Sequence, residues 1–102
     1  METLKPRKVK VTFDIQAAIK YFVKIPRYAV SAMFYILGEA NETEDGLIVI
    51  TPENKENMSR ALGFSYVMSN KALRALSSAN IFIRYSPHIY RLNEELFVRE
   101  EE

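Results

Sequence analysis

Between Thr51 and Asn93 the chain is punctuated so closely that few arrangements are open to it. The segment reads TPENKENMSRALGFSYVMSNKALRALSSANIFIRYSPHIYRLN. Thr51 followed by Pro52 and Glu53 marks a helix start. A threonine hydroxyl can accept from the first free N–H groups, and proline at the first helical position gives up an N–H that has no partner anyway. Glu53 and Glu56 suit the positive end of that helix. Gly63 lacks a Cβ and can take the positive φ that stops it. Ser65 then caps a second helix, predicted from Tyr66 to about Ser78. Asn80 tolerates a left-handed backbone at its end. Ile81, Ile83 and Tyr85 alternate, Ser86-Pro87-His88 turns, and Ile89, Tyr90 and Leu92 return. This predicts a β-hairpin, with Pro87 arguing against a tight Asn-Gly turn.

The faces of these helices follow from spacing. Met58, Ala61 and Leu62 are the apolar positions predicted for the first helix, with Phe64 plugging the core from the turn. In the second, Ser69, Ala72, Leu73 and Leu76 share a side and are expected inward, which leaves Asn70, Lys71 and Arg74 on the opposite side. From Asn57 to Asn93 the charged residues are Arg60, Lys71, Arg74, Arg84 and Arg91, with no acidic residue among them.

Charge is sorted into blocks along the whole chain, although the net charge is only +1. Residues 1–37 carry +5, residues 38–56 carry −5, residues 57–93 carry +5 and residues 94–102 carry −4. A basic block can bind phosphates, while an acidic loop and tail keep other surfaces away from a polyanion.

Upstream, Val9, Val11 and Phe13 alternate with Lys8, Lys10 and Thr12, the period of a half-buried strand whose lysines would blunt an exposed edge. Ile15 to Phe22 is a predicted short helix with Ile15, Ala18, Ile19 and Phe22 on one face. Pro26 opens the next helix, in which Ala29, Val30, Met33, Phe34, Ile36 and Leu37 are expected to be largely buried. Gly38 or Asn41 would end it, and GEANETEDG would be a solvated loop. Leu47 to Ile50 reads as a strand. Asn93 to Val98 is expected to add a short helix capped by Asn93 and carrying Leu96 and Phe97.

At 102 residues, 48% of them hydrophobic and 26% charged, the chain suits one globular domain. It has no cysteine, which removes disulfides and thiolate metal sites. No apolar run suits a signal peptide or a membrane span, so a cytoplasmic protein is the expectation. No phosphate loop, metal-ligand cluster, nucleophile–base pair or paired carboxylates can be picked out, so no enzymatic role, metal or cofactor is expected. His88 is the only histidine, and it sits in the hairpin turn.

The string LGFSYVMSNKALRALSSANIF, Leu62 to Phe82, resembles the helix-turn-helix of winged-helix DNA-binding proteins. Leu62, Gly63, Phe64, Ser65, Ala72, Leu73 and Leu76 match that family's structural positions. A wider resemblance over residues 22–97 runs through FVKIP, FYIL, IVIT, the helix-turn-helix and YRLNEELF. It is to the RepL-type plasmid replication proteins of Gram-positive bacteria. It implies an α/β fold of the α+β kind: a winged helix-turn-helix, with helices packed on a small antiparallel sheet and a C-terminal hairpin wing. Residues 1–98 would form this one domain, and 99–102 an acidic, disordered tail. It also implies sequence-specific binding of double-stranded DNA at a plasmid origin.

On that reading the second helix enters the major groove. Tyr66, Asn70, Lys71 and Arg74 face the duplex; Asn70 could pair with adenine, and Lys71 or Arg74 with guanine or a phosphate. Ser65 and the N–H groups beside it hold a phosphate at the helix start. Arg84, His88 and Arg91 come from the wing, and Arg60 and Lys55 are backbone-contact candidates. Apolar Val67 and Met68 depart from the polar residues usual at the start of a recognition helix. Two alternatives share the scaffold: a transcriptional repressor, and a protein-interaction module using Tyr66, Val67, Met68 and Phe82. A homodimer is expected, joined through the N-terminal strand or the final segment, and a replication or regulatory protein is a further candidate partner.

Overall fold

The computed structural model describes residues 7–8, 11–39, 41–42 and 47–99; the side chains described are those of 14–39 and 47–97. The elements, in order, are β1 (Arg7–Lys8), β2 (Val11–Phe13), α1 (Ile15–Phe22), α2 (Arg27–Glu39), β3 (Asn41–Glu42), β4 (Leu47–Val49), α3 (Pro52–Leu62), α4 (Tyr66–Ser78), β5 (Phe82–Ser86), β6 (Ile89–Leu92) and β7 (Phe97–Arg99).

The strands form a five-stranded antiparallel sheet in the order β1-β3-β4-β6-β5 and a separate antiparallel pair, β2-β7. Helices α2, α3 and α4 pack on one another. The buried core joins Ala32, Met33 and Ile36 of α2, Met58 of α3, Ala72, Leu73 and Leu76 of α4, and Ile48, Phe82, Tyr90 and Leu92 of the sheet. Each large side chain buried there contributes roughly 1.5–3 kcal/mol. The result is an α+β fold, with a helix-turn-helix leading directly into a hairpin: a winged-helix-like arrangement.

Local chemistry sets the boundaries of this half. Thr51 Oγ1 accepts from the Asn54 N–H at 3.1 Å and Asn54 Oδ1 accepts from the Thr51 N–H at 2.9 Å, a reciprocal cap with Pro52 opening the helix. Gly63 has φ +72°, and the Phe64 N–H closes back on the Ser59 carbonyl at 2.9 Å. Ser65 Oγ accepts from the Met68 N–H at 3.0 Å. Asn80 has φ 63°; its N–H bonds the Ser77 carbonyl and the Ile81 N–H bonds the Leu76 carbonyl, the paired closure of a Schellman end. The hairpin turn is Pro87-His88, and neither residue has positive φ. A register shift between Arg84 and Ser86 accommodates this turn, which lacks the twist of a primed one.

The sequence does not point to two side-chain links, Ser59 to Ser69 and Asn93 to the Asn80 carbonyl, whereas Asn93 caps the turn after it as expected. Ser59 and Ser69 hydroxyls meet at 2.7 Å in the buried α3–α4 contact. Ser59 also donates to the Ser65 carbonyl at 3.2 Å, so Ser69 must be the donor within the serine pair. Asn93 is buried; its Nδ2 donates to the Asn80 carbonyl at 2.7 Å and its Oδ1 accepts from the Glu95 N–H at 2.8 Å.

The N-terminal half departs further from expectation. Helix α1 has the predicted bounds, with Asp14 as an unpredicted cap accepting from Gln16 and Ala17. Its inward face is different: Ala17, Ala18, Tyr21 and Phe22 pack against the core, whereas Ile15 and Ile19 are 74% and 64% exposed and Val23, just beyond, is 75% exposed. Small residues let this helix lie close to the body, and the branched aliphatics are left outside. Phe34 of α2 and Ala61 of α3 are likewise exposed rather than core. Helix α2 runs through Gly38 to Glu39, so Gly38 is not its left-handed end.

Of the strand predicted over Lys8–Phe13, Lys8 pairs in β1 with β3 and Val11–Phe13 pair in β2 with β7, so its described parts belong to two sheets. Asn41 and Glu42, expected in a loop, are strand β3. The expected helix over Asn93–Val98 is a single turn, with Leu96 and Phe97 N–H groups on the Asn93 carbonyl, after which the chain extends as β7. Leu96 and Phe97 are buried. Arg99 belongs to β7 rather than to a tail. Val9, Lys10, Ala40, residues 43–46 and residues 100–102 lie outside the described residues, and with them part of the predicted strand, acidic loop and tail.

Candidate nucleic-acid interface

Helix α4 buries Ser69, Ala72, Leu73 and Leu76 against α2 and α3. That fixes what it shows outward. Val67, Lys71, Arg74 and Ser78 form the exposed stripe, and Asn70 and Ser77 lie half-buried along its edge. Tyr66 is exposed at the first turn, and Val67 is 68% exposed. Lys71 and Arg74 have no carboxylate partner among the described residues.

The half-buried edge of α4 borders a cleft of about 190 Å³, lined among others by Lys55, Asn70, Arg74, Ser77, Arg84 and Tyr90. These residues come from α3, α4, β5 and β6. No carboxylate among the described residues lines the cleft. Arg84 reaches it because of strand register: it pairs with Tyr90, whose side chain points to the helices, so Arg84 stands on the helix-facing side of the hairpin. Its Nε donates to the Ser86 carbonyl at 3.2 Å, which anchors the guanidinium beside the strand.

The charges feel one another. Burial lowers the pKa of the Lys55 ammonium below the usual lysine value, and the positive Arg84 nearby pushes it the same way. Burial raises the pKa of the Tyr90 phenol, partly offset by Arg84. Lysine, arginine and a neutral phenol thus meet in a pocket with positive charge and no counter-ion among the described residues.

Four of the ten residues expected to touch DNA, Lys55, Asn70, Arg74 and Arg84, are therefore brought together. Tyr66 and Lys71 are exposed on α4 outside the cleft. Ser65 is exposed at the helix start, where its oxygen is committed to capping. The remaining three stand apart from the cleft. Arg60 is exposed on α3, 3.9 Å from Glu56 one turn earlier. His88 is exposed at the hairpin tip, and its carbonyl accepts from the Ile50 N–H at 2.7 Å. Arg91 pairs with Ile83 and so occupies the opposite face of the hairpin from Arg84. Its guanidinium lies 5.4 Å from the Tyr85 ring centre, and its buried Nε has no hydrogen-bond partner.

Sequence reasoning missed Ser77, Ser78 and Tyr90 as lining residues. The helical spacing Asn70, Arg74, Ser77, Ser78 carries the signal for the serines. Tyr90 depends on hairpin register, which no local pattern encodes. Phe82, expected in a protein-contact patch, is fully buried and cannot serve in one. A second cleft, of about 80 Å³, lies between α2, β4 and α3 and is bordered by Tyr35, Glu39, Val49 and Asn54. No helix among the described residues is long and apolar enough to cross a membrane.

No family model, no curated protein and no solved structure matches this chain.

Proposed function

We propose that this protein binds double-stranded DNA, with α4 in the major groove and the β5–β6 hairpin beside it. One observation carries the reading: Lys55, Asn70, Arg74 and Arg84 come from three separate elements to one polar cleft that no carboxylate among the described residues lines. Exposed Lys71 extends the cationic surface by one helical turn from Arg74. Convergent cations with no internal counter-ion are suited to a polyanion. A helix-turn-helix that shows the outer side of its second helix has the geometry to reach base edges. Asn70 supplies an amide that can pair with adenine, and Arg74 a fork that can pair with guanine. The resemblance of residues 22–97 to plasmid replication proteins directs the search to a replication origin. A repressor would use the same contacts at a promoter, and the position of the bound site separates the two.

The test is selection of bound duplexes from a random pool, then titration of Lys71→Ala and Arg74→Ala against the selected site. Arg74→Ala should cost about 1–3 kcal/mol of affinity if it reads a base. Both variants should melt like the parent, since neither side chain is buried. Full affinity in both at physiological salt overturns the face assignment. Exposed Tyr66 and Val67 favour a second reading, a protein contact at the first turn of α4. It gains if Val67→Ser abolishes capture of a protein partner while duplex affinity is absent at low salt.

A further inference from the structure

The cleft between α4 and the hairpin supports a narrower statement, which rests on the duplex-binding reading. We propose that it seats a single phosphate group, held jointly by Lys55, Arg74 and Arg84.

The argument starts from repulsion. Three cationic side chains from α3, α4 and β5 line one cleft with no carboxylate among them. Like charges drift apart in water unless something fixes them. Arg84 is fixed by its Nε bond to the Ser86 carbonyl, which leaves its two terminal amino groups free to donate. Lys55 is half-buried, where its charge is harder to hold, and the pKa of its ammonium is correspondingly depressed. An anion in the cleft would relieve both groups at once.

The chemistry of the lining selects the anion. Three donors approaching from three elements suit a tetrahedral group whose charge is spread over several oxygens. A carboxylate offers two oxygens in one plane and fits a single fork better. Arginine forks match phosphate oxygens, and lysine meets them as a point charge. Asn70 and Ser77 add neutral donors at the rim. About 190 Å³ accommodates such a group together with water. The phosphate could be a diester of the duplex backbone or belong to a free phosphorylated molecule, and the two arms of the test separate these sources.

In the first arm, duplex affinity is measured against salt for the parent, Lys55→Gln, Arg84→Gln and the double variant. Circular dichroism confirms that each folds. One neutralised phosphate contributes about 0.9 to the slope of log affinity against log salt. If the three cations serve one phosphate, the double variant loses at most about 0.9 in slope. A loss of about twice that means two separate phosphates and overturns the shared seat. An unchanged slope in a triple variant that adds Arg74→Gln, with duplex still bound, overturns the seat and leaves the duplex reading standing.

In the second arm, inorganic phosphate and pyrophosphate are titrated into the parent and into Arg84→Gln, with Lys55 Cε followed by NMR across pH. A saturable shift that raises the Lys55 pKa in the parent, and weakens in Arg84→Gln, is the expected result. If that shift appears although no duplex binds, the duplex reading fails and the seat stands as one for a free phosphorylated molecule. If neither duplex nor phosphate engages the cleft, both proposals fall.

Discussion

Helices α4 and α1 are both amphipathic, yet they turn different parts of that character towards the body of the molecule. Helix α4 buries Ser69, Ala72, Leu73 and Leu76 and shows Lys71 and Arg74 to solvent. Helix α1 packs Ala17, Ala18, Tyr21 and Phe22 against the core and shows Ile15 and Ile19. The two also differ in how they are attached. Helix α4 sits among α2, α3 and the hairpin. Helix α1 is tied to the segment after β6: the Asp14 N–H bonds the Leu96 carbonyl at 3.1 Å, and the Tyr21 hydroxyl donates to Glu95 at 2.6 Å. Lys20 also stands 3.9 Å from Glu95, an exposed pair of little energetic weight. Periodicity tells which residues share a side of a helix. The surroundings decide which side is buried.

The largest test of this contrast sets one residue from each region side by side. Phe82→Ala, in the fully buried centre under α4, should lose about 3–5 kcal/mol of unfolding free energy in urea. Ile19→Ser should stay within about 0.5 kcal/mol of the parent. A large loss in Ile19→Ser would mean that the exposed side of α1 is covered in solution.

Asn93 joins the two regions, since it bonds both the end of α4 and the turn leading to β7. Asn93→Ala strands the Asn80 carbonyl and should cost about 1–3 kcal/mol. Thermal melts of Asn93→Ala and Asn93→Ser, the latter keeping an oxygen, would show how much depends on the amide. Gly63→Ala isolates backbone conformation. A Cβ there would meet nothing within 4 Å, so only the positive φ resists it. The cost should be about 1–2 kcal/mol, read from the urea midpoint, and the α3–α4 turn should remain.

The smallest effect has the opposite sign. Lys55 has a depressed pKa in the folded protein, so at neutral pH its charge opposes folding. That penalty fades as pH rises through the folded pKa towards 10.5, where the unfolded chain also releases its proton. Lys55→Gln should therefore be slightly more stable than the parent at pH 7, and the gain should shrink under alkaline conditions. A loss of stability at pH 7 would show that the ammonium is satisfied in a way its surroundings do not reveal.

Much of the α3–α4–hairpin half was legible because its signals are local. Thr51, Gly63, Ser65 and Asn80 each act within a few residues of themselves, and each sits where its chemistry predicts. The outward placement of Lys71 and Arg74 follows from the apolar spacing of α4 alone. What escaped depends on partners distant in the chain. The inward side of α1 is set by the core it meets. Strand β3 exists because β1 and β4 flank it. The separation of Arg84 from Arg91 is a matter of hairpin alternation and register; grouping both by charge alone treated the two faces of the wing as one. The short helix expected after Asn93 gave way to β7, because Phe97 to Arg99 find a strand in β2 that a helix could not pair with.

The pairing of β2 with β7 has a consequence for synthesis on the ribosome. Residues 11–13 are synthesised more than eighty residues ahead of 97–99, the segment they hydrogen-bond. Everything from α2 to the hairpin can settle in the meantime, while β2 waits with a bare edge. Closing so wide a span late is entropically slow. The interval before it closes is when a nascent chain of this design is most open to mispairing with a neighbour.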